Sequence, residues 1–227
     1  MSSTLSLRSA TFGAGALEPY DHALRDPARS LYVMRLESEL EPVPVEVARF
    51  LAAADEDDRT ALQDARGPII DLGCGPGRLV RAAILGGHLA LGIDASQTAV
   101  NIAQGQGLPV LHRSIFQELP AEGTWGTAML IDGNIGIGGD PAALLRRCAE
   151  LVLDRGRGRI LVETHSDPDR DSTFDAVVVD DLERSSLPFA WAEVGANALR
   201  RYALLAGISL VKNWMVGQRT FVEYATA

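Results

Sequence analysis

Cysteine is scarce in this sequence, which has 227 residues and contains only Cys74 and Cys148. The two cysteines lie on different predicted elements, and neither belongs to a C-x-x-C pair or to a Cys/His cluster with the spacing of metal ligands. We therefore expect no disulfide bond and no metal site. Cys148 falls on the apolar face of a predicted helix, so we predict that it packs in the core.

Positive charge is also in short supply. Lysine and arginine together number 21, against 30 aspartate and glutamate residues, which gives a formal net charge of -9. Nucleic-acid surfaces depend on clustered lysine and arginine side chains that neutralise phosphates. The sequence offers no such cluster, so we expect no nucleic-acid partner.

Long apolar runs are absent as well. No stretch is long enough to cross a bilayer, and residues 1–8 lack a basic region followed by an apolar one. We therefore expect no membrane association and a cytoplasmic protein. The hydrophobic fraction of 47% is ample for the buried core of one large domain, which we expect to be a monomer or a homodimer.

The most informative stretch that is present covers residues 69–79. A short apolar run ends in an acid, three glycines follow at alternate positions, and helix-forming residues come next. This order is typical of a strand, a tight turn and a helix. Glycine permits backbone angles that a Cβ forbids and lets a ligand lie against the main chain. The free N–H groups of the following helix then point at that ligand.

The spacing of the glycines distinguishes two classes of cofactor site. Dinucleotide enzymes favour G-x-G-x-x-G, whereas Gly73, Gly75 and Gly77 follow G-x-G-x-G, and Asp71 comes two residues before the first glycine. A glycine turn after a strand also occurs in many α/β proteins that bind no cofactor, so the turn alone is weak evidence.

A second acidic residue strengthens the interpretation. The apolar run 89–94 ends in Asp94, where the next strand of a βαβ unit should end. A carboxylate there can accept hydrogen bonds from both hydroxyls of a ribose. The glycine turn and this acid resemble the first two motifs of the class I S-adenosylmethionine-dependent methyltransferases, and we identify the chain with the members that act on small molecules.

Strand and helix patterns alternate from residue 67 onward, as in a parallel sheet covered on both faces. We predict an α/β fold: a doubly wound, mostly parallel, Rossmann-like seven-stranded sheet with an antiparallel C-terminal hairpin and an N-terminal helical cap. The cap should comprise residues 1–66 and the cofactor-binding core residues 67–227. Two β-prone runs in the segment 166–195 predict an antiparallel hairpin, an insertion on the acceptor side of the core.

Three features of the predicted cap carry expectations. Pro44 is expected to open a helix. The acidic run 55–58 suits the solvated first turn of another helix, and we assign it no function. Tyr20 to Ala23 resembles in part a Y-D-x-x-A segment that closes over the cofactor in this family, and the alternative is that Tyr20 simply packs within a helical cap.

The resemblance implies that the cofactor is S-adenosyl-L-methionine. Its expected contacts are the glycine turn, the ends of the first four strands and the cap, namely Tyr20, Asp71, Gly73, Cys74, Gly75, Gly77, Asp94, Ala95, Ser114, Ile115, Phe116, Asp132 and Asn134. Ser114 stands where this family often has an acid that binds the adenine amino group. Backbone contacts and the apolar side chains of Ile115 and Phe116 are therefore expected to hold the base.

The resemblance further implies methyl transfer to an oxygen or nitrogen atom of a small-molecule acceptor. Phe189 and Trp191 are expected to form apolar walls of the acceptor site. A base is needed only if the acceptor must lose a proton. His165 is our first candidate, because it lies at the carboxyl end of a strand and imidazole is a common general base, and Asp132 and His22 are further candidates.

Two other functions are compatible with the sequence. An NAD-dependent oxidoreductase would use Asp94 to bind an adenosine ribose, although the glycine spacing and the terminal hairpin argue against it. A non-catalytic S-adenosylmethionine-binding module would share the motifs without the reaction, and fold alone does not separate an enzyme from such a module.

Overall fold

The computed structural model describes residues 11–13 and 19–226. The N-terminal part consists of α1 (Pro19–Arg25), β1 (Leu31–Arg35), β2 (Val43–Pro44), α2 (Val47–Leu51) and α3 (Glu56–Leu62). The predicted cap also included residues 1–10 and 14–18, which lie outside the described residues.

Strands and helices alternate over the next part of the chain, as predicted. The first group comprises β3 (Ile69–Leu72), α4 (Arg78–Leu85), β4 (Ala90–Asp94), α5 (Gln97–Gly105) and β5 (Val110–His112). The second group comprises β6 (Thr127–Leu130), a 3-10 segment (Asn134–Gly139), α6 (Pro141–Leu151), β7 (Arg159–Thr164), β8 (Asp171–Asp180), β9 (Phe189–Val194), α7 (Ala196–Leu205), β10 (Ile208–Val216) and β11 (Arg219–Thr226).

The main sheet has seven strands in the order β10-β11-β7-β6-β3-β4-β5. The five strands from β7 to β5 in this order run parallel, whereas β11 pairs antiparallel with both β7 and β10. The predicted fold class is therefore confirmed. The strand order reverses between β3 and β6, and open α/β sheets form a ligand crevice at such a point, outside the carboxyl ends of the strands.

Side-chain caps explain where two of the covering helices begin. Ser96 accepts a hydrogen bond from the backbone N–H of Ala99 at the start of α5 (3.1 Å), and Asp140 accepts one from Ala143 at the start of α6 (2.9 Å). Cys148 in α6 is fully buried, as predicted. Among the described residues, no helix has both the length and the apolar composition that a bilayer span requires.

A second sheet, with the strand order β2-β1-β8-β9, is separate from the main one. Strands β8 and β9 form the hairpin predicted for the segment 166–195, and β1 pairs antiparallel with β8, from Leu31 opposite Asp180 to Arg35 opposite Ala176. The prediction of a helical cap is therefore corrected, because the N-terminal part also contributes two strands. Strand β2 pairs with β1, but β1 also pairs with β8 in the second half of the chain, and no local pattern could reveal that pairing.

Pro44 does not open a helix, which corrects a second expectation. It lies in β2 opposite Tyr32, and α2 begins at Val47. Strand β2 is at the edge of the second sheet, where a residue without a backbone N–H is tolerated. Proline favours both an edge strand and the first turn of a helix, so the sequence pattern alone did not separate the two.

Candidate functional site

A cavity of about 400 Å³ lies at the carboxyl ends of the parallel strands and reaches the second sheet. It brings together most of the side chains and turns that the sequence singled out. The predicted site residues that line it are Tyr20, Asp71, Gly73, Cys74, Gly75, Asp94, Ala95, Ser114, Ile115, Asp132, Asn134, Phe189 and Trp191. The predicted residues that do not line it are His22, Gly77, Phe116 and His165.

The glycine turn after β3 has the left-handed backbone that its sequence predicts. Gly73 and Gly75 have φ angles of 79° and 53°, values at which a side chain is strained. A Cβ on Gly73 would lie 2.7 Å from Nδ2 of Asn134, which donates hydrogen bonds to the carbonyl oxygens of Leu72 and Gly73 (2.9 Å each). The turn is thereby held against the loop after β6, with its main chain facing the cavity.

Gly77 has a packing role instead of the predicted contact with a cofactor. It precedes the first turn of α4 with a φ of 88°. A Cβ there would lie 2.7 Å from Cδ1 of Leu108, on the connection between α5 and β5. The third glycine therefore allows α4 to approach its neighbour closely, while the first two form the cavity wall.

Asp94 at the end of β4 is fixed by two backbone N–H groups. Its Oδ2 accepts a hydrogen bond from Gly75 and its Oδ1 accepts one from Ser96, each 2.7 Å long. Burial raises the pKa of Asp94, and the hydrogen bonds from Ser96 and Gly75 offset part of that rise. Each carboxylate oxygen has a further lone pair, so a buried and oriented acceptor pair faces the cavity beside the glycine turn.

Asp71 is buried in the same wall with an unsatisfied oxygen. Its Oδ2 has no hydrogen-bond partner among the described residues. Burial, with smaller contributions from the negative charges of Asp132 and Asp94, raises the pKa of Asp71 to about 8. A buried acceptor without a partner is costly. Asp71 also lines the cavity, so a hydrogen-bond donor on a ligand there would contact its other oxygen, Oδ1.

Asp132 lies in the cavity wall after β6, where it is bound by arginines. Its carboxylate pairs with Arg78 (2.5 Å), Arg49 (3.5 Å) and Arg219 (3.5 Å), and its backbone N–H donates to Glu163 (2.8 Å). These contacts occupy the oxygens that a general base would use. The predicted catalytic role of Asp132 therefore has no support in this geometry, whereas its placement beside Asp71 fits a structural part of the cavity wall.

Asp58 anchors the same cluster and was missed by the sequence analysis. It belongs to the acidic run expected to be solvated, yet its side chain is fully buried and pairs with Arg78 and with Arg219 (2.8 Å). Asp58 also completes a capping box with Asp55 at the start of α3. The cap was predictable from sequence, but the arginine partners come from distant parts of the chain.

Two of the three predicted cofactor contacts after β5 line the cavity. Ser114 and Ile115 line it, together with Arg113, which directly follows the end of β5. Phe116 is 49% exposed and lies beside Gly138, so it does not reach the cavity. Any planar group bound here would contact Ile115 and the main chain, without an acidic partner at Ser114.

The two histidines proposed as bases lie outside the cavity. Nδ1 of His165 accepts a hydrogen bond from the backbone N–H of Asp167 (3.0 Å), and the backbone N–H of His165 donates to the carbonyl oxygen of Val194 (2.9 Å). His22 lies in the last turn of α1. The position of His165 after β7 was predicted correctly. Its backbone pairs there with Gly195 at the end of β9, and its ring is hydrogen-bonded to Asp167 in the loop that follows.

The second sheet covers the cavity with aromatic side chains. Phe189 and Trp191 line it as predicted. The structure adds Phe174 and Glu193 from the predicted hairpin, which had not been named as site residues. It also adds residues of the N-terminal part, namely Phe12, Val33, Arg35 and Phe50. The β-prone run of β1 was the one available signal for Val33 and Arg35, and it was not used.

Solved structures share this architecture, although no family model and no curated protein matches the sequence. A methyltransferase from Bacteroides fragilis, in complex with S-adenosylhomocysteine, is 21% identical over 92% of each chain, with a TM-score of 0.72.

Two further solved structures are similar over most of their length. The 1,6-didemethyltoxoflavin N1-methyltransferase of Burkholderia thailandensis is 16% identical, with 88% of this chain and 96% of that chain covered and a TM-score of 0.54. A possible histamine N-methyltransferase of Thermotoga maritima is 15% identical, with 78% and 88% covered and a TM-score of 0.53. The chain therefore has the fold of the class I S-adenosylmethionine-dependent methyltransferases.

Proposed function

We propose that the chain binds S-adenosyl-L-methionine in the cavity and transfers its methyl group to a small, partly apolar acceptor. The observation that carries this proposal is the pairing of Asp94 with the glycine turn. A buried carboxylate, oriented by the N–H of Gly75, stands beside a left-handed turn at the switch point of a methyltransferase-like sheet.

Each part of the cofactor would have a matching group in the cavity. The carboxylate of Asp94 would accept hydrogen bonds from the ribose hydroxyls. The main chain from Gly73 to Gly75 would lie under the amino-acid part, and the carboxyl group of Asp71, which lines the cavity, would accept from its ammonium group. The base would lie against Ile115. When bound, the cofactor supplies a methyl group that its sulfonium already activates.

The protein's task in the reaction would be to orient the acceptor and exclude water. Phe189 and Trp191 on the second sheet would hold an apolar acceptor over the carboxyl edge of the main sheet. A small-molecule acceptor is also consistent with the Burkholderia thailandensis structure, which contains 1,6-didemethyltoxoflavin and S-adenosylhomocysteine. We propose that positioning carries the reaction and assign no general base.

Asp94→Ala is expected to weaken the binding of S-adenosylhomocysteine by about 1.5 to 3 kcal/mol, because it removes charge-assisted hydrogen bonds to the ribose. Isothermal titration calorimetry would measure this as a Kd about 10 to 150 times higher. Asp94→Asn keeps one oxygen acceptor and should give a smaller loss. Asp154→Ala is the matched control, since its side chain is 71% exposed and lies outside the cavity.

Unchanged affinity in Asp94→Ala, with the same thermal unfolding as the wild type, would refute this binding mode. Thermal stabilisation by NAD, without stabilisation by S-adenosylmethionine, would instead favour the oxidoreductase. Binding of S-adenosylmethionine without methyl transfer to any compound of a metabolite extract would favour the non-catalytic module. The G-x-G-x-G spacing and the antiparallel β10–β11 pair support the methyltransferase over the oxidoreductase.

His165→Ala is expected to leave kcat within about twofold of the wild type. A positioned general base contributes typically 10² to 10⁴-fold, and the ring of His165 makes its hydrogen bond outside the cavity. Steady-state kinetics at pH 6 to 8, with the acceptor found by the extract screen, would test this. A loss of more than about 100-fold, or the loss of an ionisation near neutrality, would restore His165 as the base.

A further inference from the structure

On the face of the second sheet that lines the cavity, the side chains are apolar at one end of the strands and charged at the other. Side chains alternate between the two faces of a strand, and alternate residues of three strands line the cavity. They are Val33 and Arg35 on β1, Phe174 on β8, and Phe189, Trp191 and Glu193 on β9. Trp191 lies opposite Phe174 in the pairing of β8 with β9. Arg35 and Glu193 are therefore the next residues on this face after the apolar Val33 and Trp191.

Arg35 is held in place but retains free donors. Its guanidinium carbon lies 3.9 Å from the centroid of the Phe174 ring, and its Nη2 donates to Glu193 (2.5 Å). Its side chain is only 13% exposed. An arginine has five N–H donors in a planar fork, and among the described residues the contact with Glu193 is the one hydrogen bond of this side chain. The remaining donors are available at the cavity wall.

The charge around Arg35 is not fully balanced. Glu193 also binds Arg170, with distances of 2.9 Å to Nε and 2.8 Å to Nη2. Burial raises the pKa of Glu193, but the hydrogen bonds from Arg35 and Arg170 outweigh that effect and hold the pKa below its usual value. One carboxylate is thus shared between two guanidinium groups, of which Arg35 lines the cavity, so Glu193 does not neutralise Arg35 alone.

We infer that the acceptor has a planar aromatic body and an anionic group of the carboxylate type, and that Arg35 binds this group while Trp191 and Phe189 contact the ring. Arginine on an aromatic face is suited to two-pronged recognition of a carboxylate, and aromatic walls favour a flat partner. This inference rests on the proposed function, because it assigns the acceptor side of the same cavity.

A negatively charged residue of the cavity wall lies near the other end of β1. Glu46 lines the cavity just after Val45, whose N–H donates to the carbonyl oxygen of Leu31 (2.8 Å). Arg35 is four residues beyond Leu31, about 13 Å further along the strand. A cationic acceptor held by Glu46 is therefore the competing possibility, and it predicts the reverse order of affinities.

Three compounds on one scaffold separate these possibilities: 4-hydroxybenzoate, 4-hydroxybenzamide and 4-hydroxybenzylamine. Their binding to the full chain saturated with S-adenosylhomocysteine would be measured by calorimetry, so that no turnover is required. We expect the benzoate to bind at least about tenfold more tightly than the amide, and the amine to bind most weakly, because a charge-assisted two-pronged contact is stronger than a neutral one.

Substitutions then test Arg35 itself. Arg35→Gln should abolish the preference for the benzoate, and Arg35→Lys should retain part of it, since lysine keeps the charge without the planar fork. Arg29→Gln makes the same charge change outside the cavity and should leave the preference intact. Glu193→Gln should strengthen benzoate binding by a few-fold, because it removes a competing carboxylate. Thermal unfolding of each variant would confirm that it is folded.

Equal affinities for the three compounds, tightest binding of the amine, or binding by none of them would overturn the inference. A loss of S-adenosylhomocysteine affinity in Arg35→Gln would also overturn it, since it would assign Arg35 to the cofactor. These outcomes leave the proposed function standing if S-adenosylhomocysteine still binds the wild-type protein. Failure of S-adenosylhomocysteine to bind the wild type would instead remove the proposed function.

Discussion

Arg78→Met is expected to lower the free energy of unfolding by about 3 kcal/mol, the lower end of the range for breaking a buried ion pair. Arg78 is buried and pairs with both Asp58 and Asp132. Without Arg78, the buried carboxylate of Asp58 has less positive charge beside it, and water does not reach it to solvate the negative charge. The expected loss is at the lower end because Arg219 still contacts Asp58 at 2.8 Å.

Urea unfolding would measure this change as a lower midpoint at an unchanged m-value. Arg59→Met is the control, because its side chain is 59% exposed and its loss should cost well under about 1 kcal/mol. The double variant Arg78→Met/Asp58→Asn should recover at least half of the loss, since it removes the buried charge and keeps an acceptor for the capping box. A double variant no more stable than the single one would contradict the proposed cause.

Asp71→Asn is expected to change how stability depends on pH. Burial raises the pKa of Asp71 from 3.8 to about 8, so the folded protein keeps a proton that the unfolded chain releases. The stabilising contribution of Asp71 is therefore complete below about pH 4 and is lost as the pH rises towards about 8. One retained proton corresponds to a slope of about 1.4 kcal/mol per pH unit within this window.

The asparagine variant has no carboxyl group to titrate at this site. Between pH 5 and pH 7, the ligand-free wild type should therefore lose about 3 kcal/mol of stability relative to Asp71→Asn. Urea unfolding at both pH values measures this difference, and the subtraction removes the contributions of the other acids. Asp154→Asn, at an exposed position, should follow the wild type. Parallel profiles for wild type and Asp71→Asn would show that the buried carboxyl group ionises freely.

The sequence predicted the parallel sheet and the cofactor half of the cavity well. The glycine turn and Asp94 lie within a single βαβ unit, where local chain geometry determines which atoms meet. The N–H of Gly75 reaches Asp94 because the two adjacent parallel strands β3 and β4 end side by side. Such contacts follow from the order of strand, turn and helix, so their positions could be read from residues close together in the sequence.

The sequence was less informative about the acceptor half. Phe189 and Trp191 were predicted from a β-prone run, but Arg35 lies on β1, which pairs with β8 from the second half of the chain. His165 shows the same limit, since its position after β7 was correct but the hydrogen bond from the backbone N–H of Asp167 to Nδ1 holds its ring outside the cavity. A single sequence carries no signal for such distant pairings, because hydrophobic periodicity reports burial and not the identity of the partner.

What the sequence determined by itself was therefore the parallel sheet, the glycine turn and the acid that stands beside it, because each depends on burial patterns and backbone freedom within a few tens of residues. Only the tertiary structure decided that Asp58 is buried among arginines, since Arg219 follows it by 161 residues. Only the tertiary structure likewise joined β1 to β8 and brought Arg35 to the cavity. Ion pairs and strand pairings across such separations depend on the completed fold, which brings their partners together.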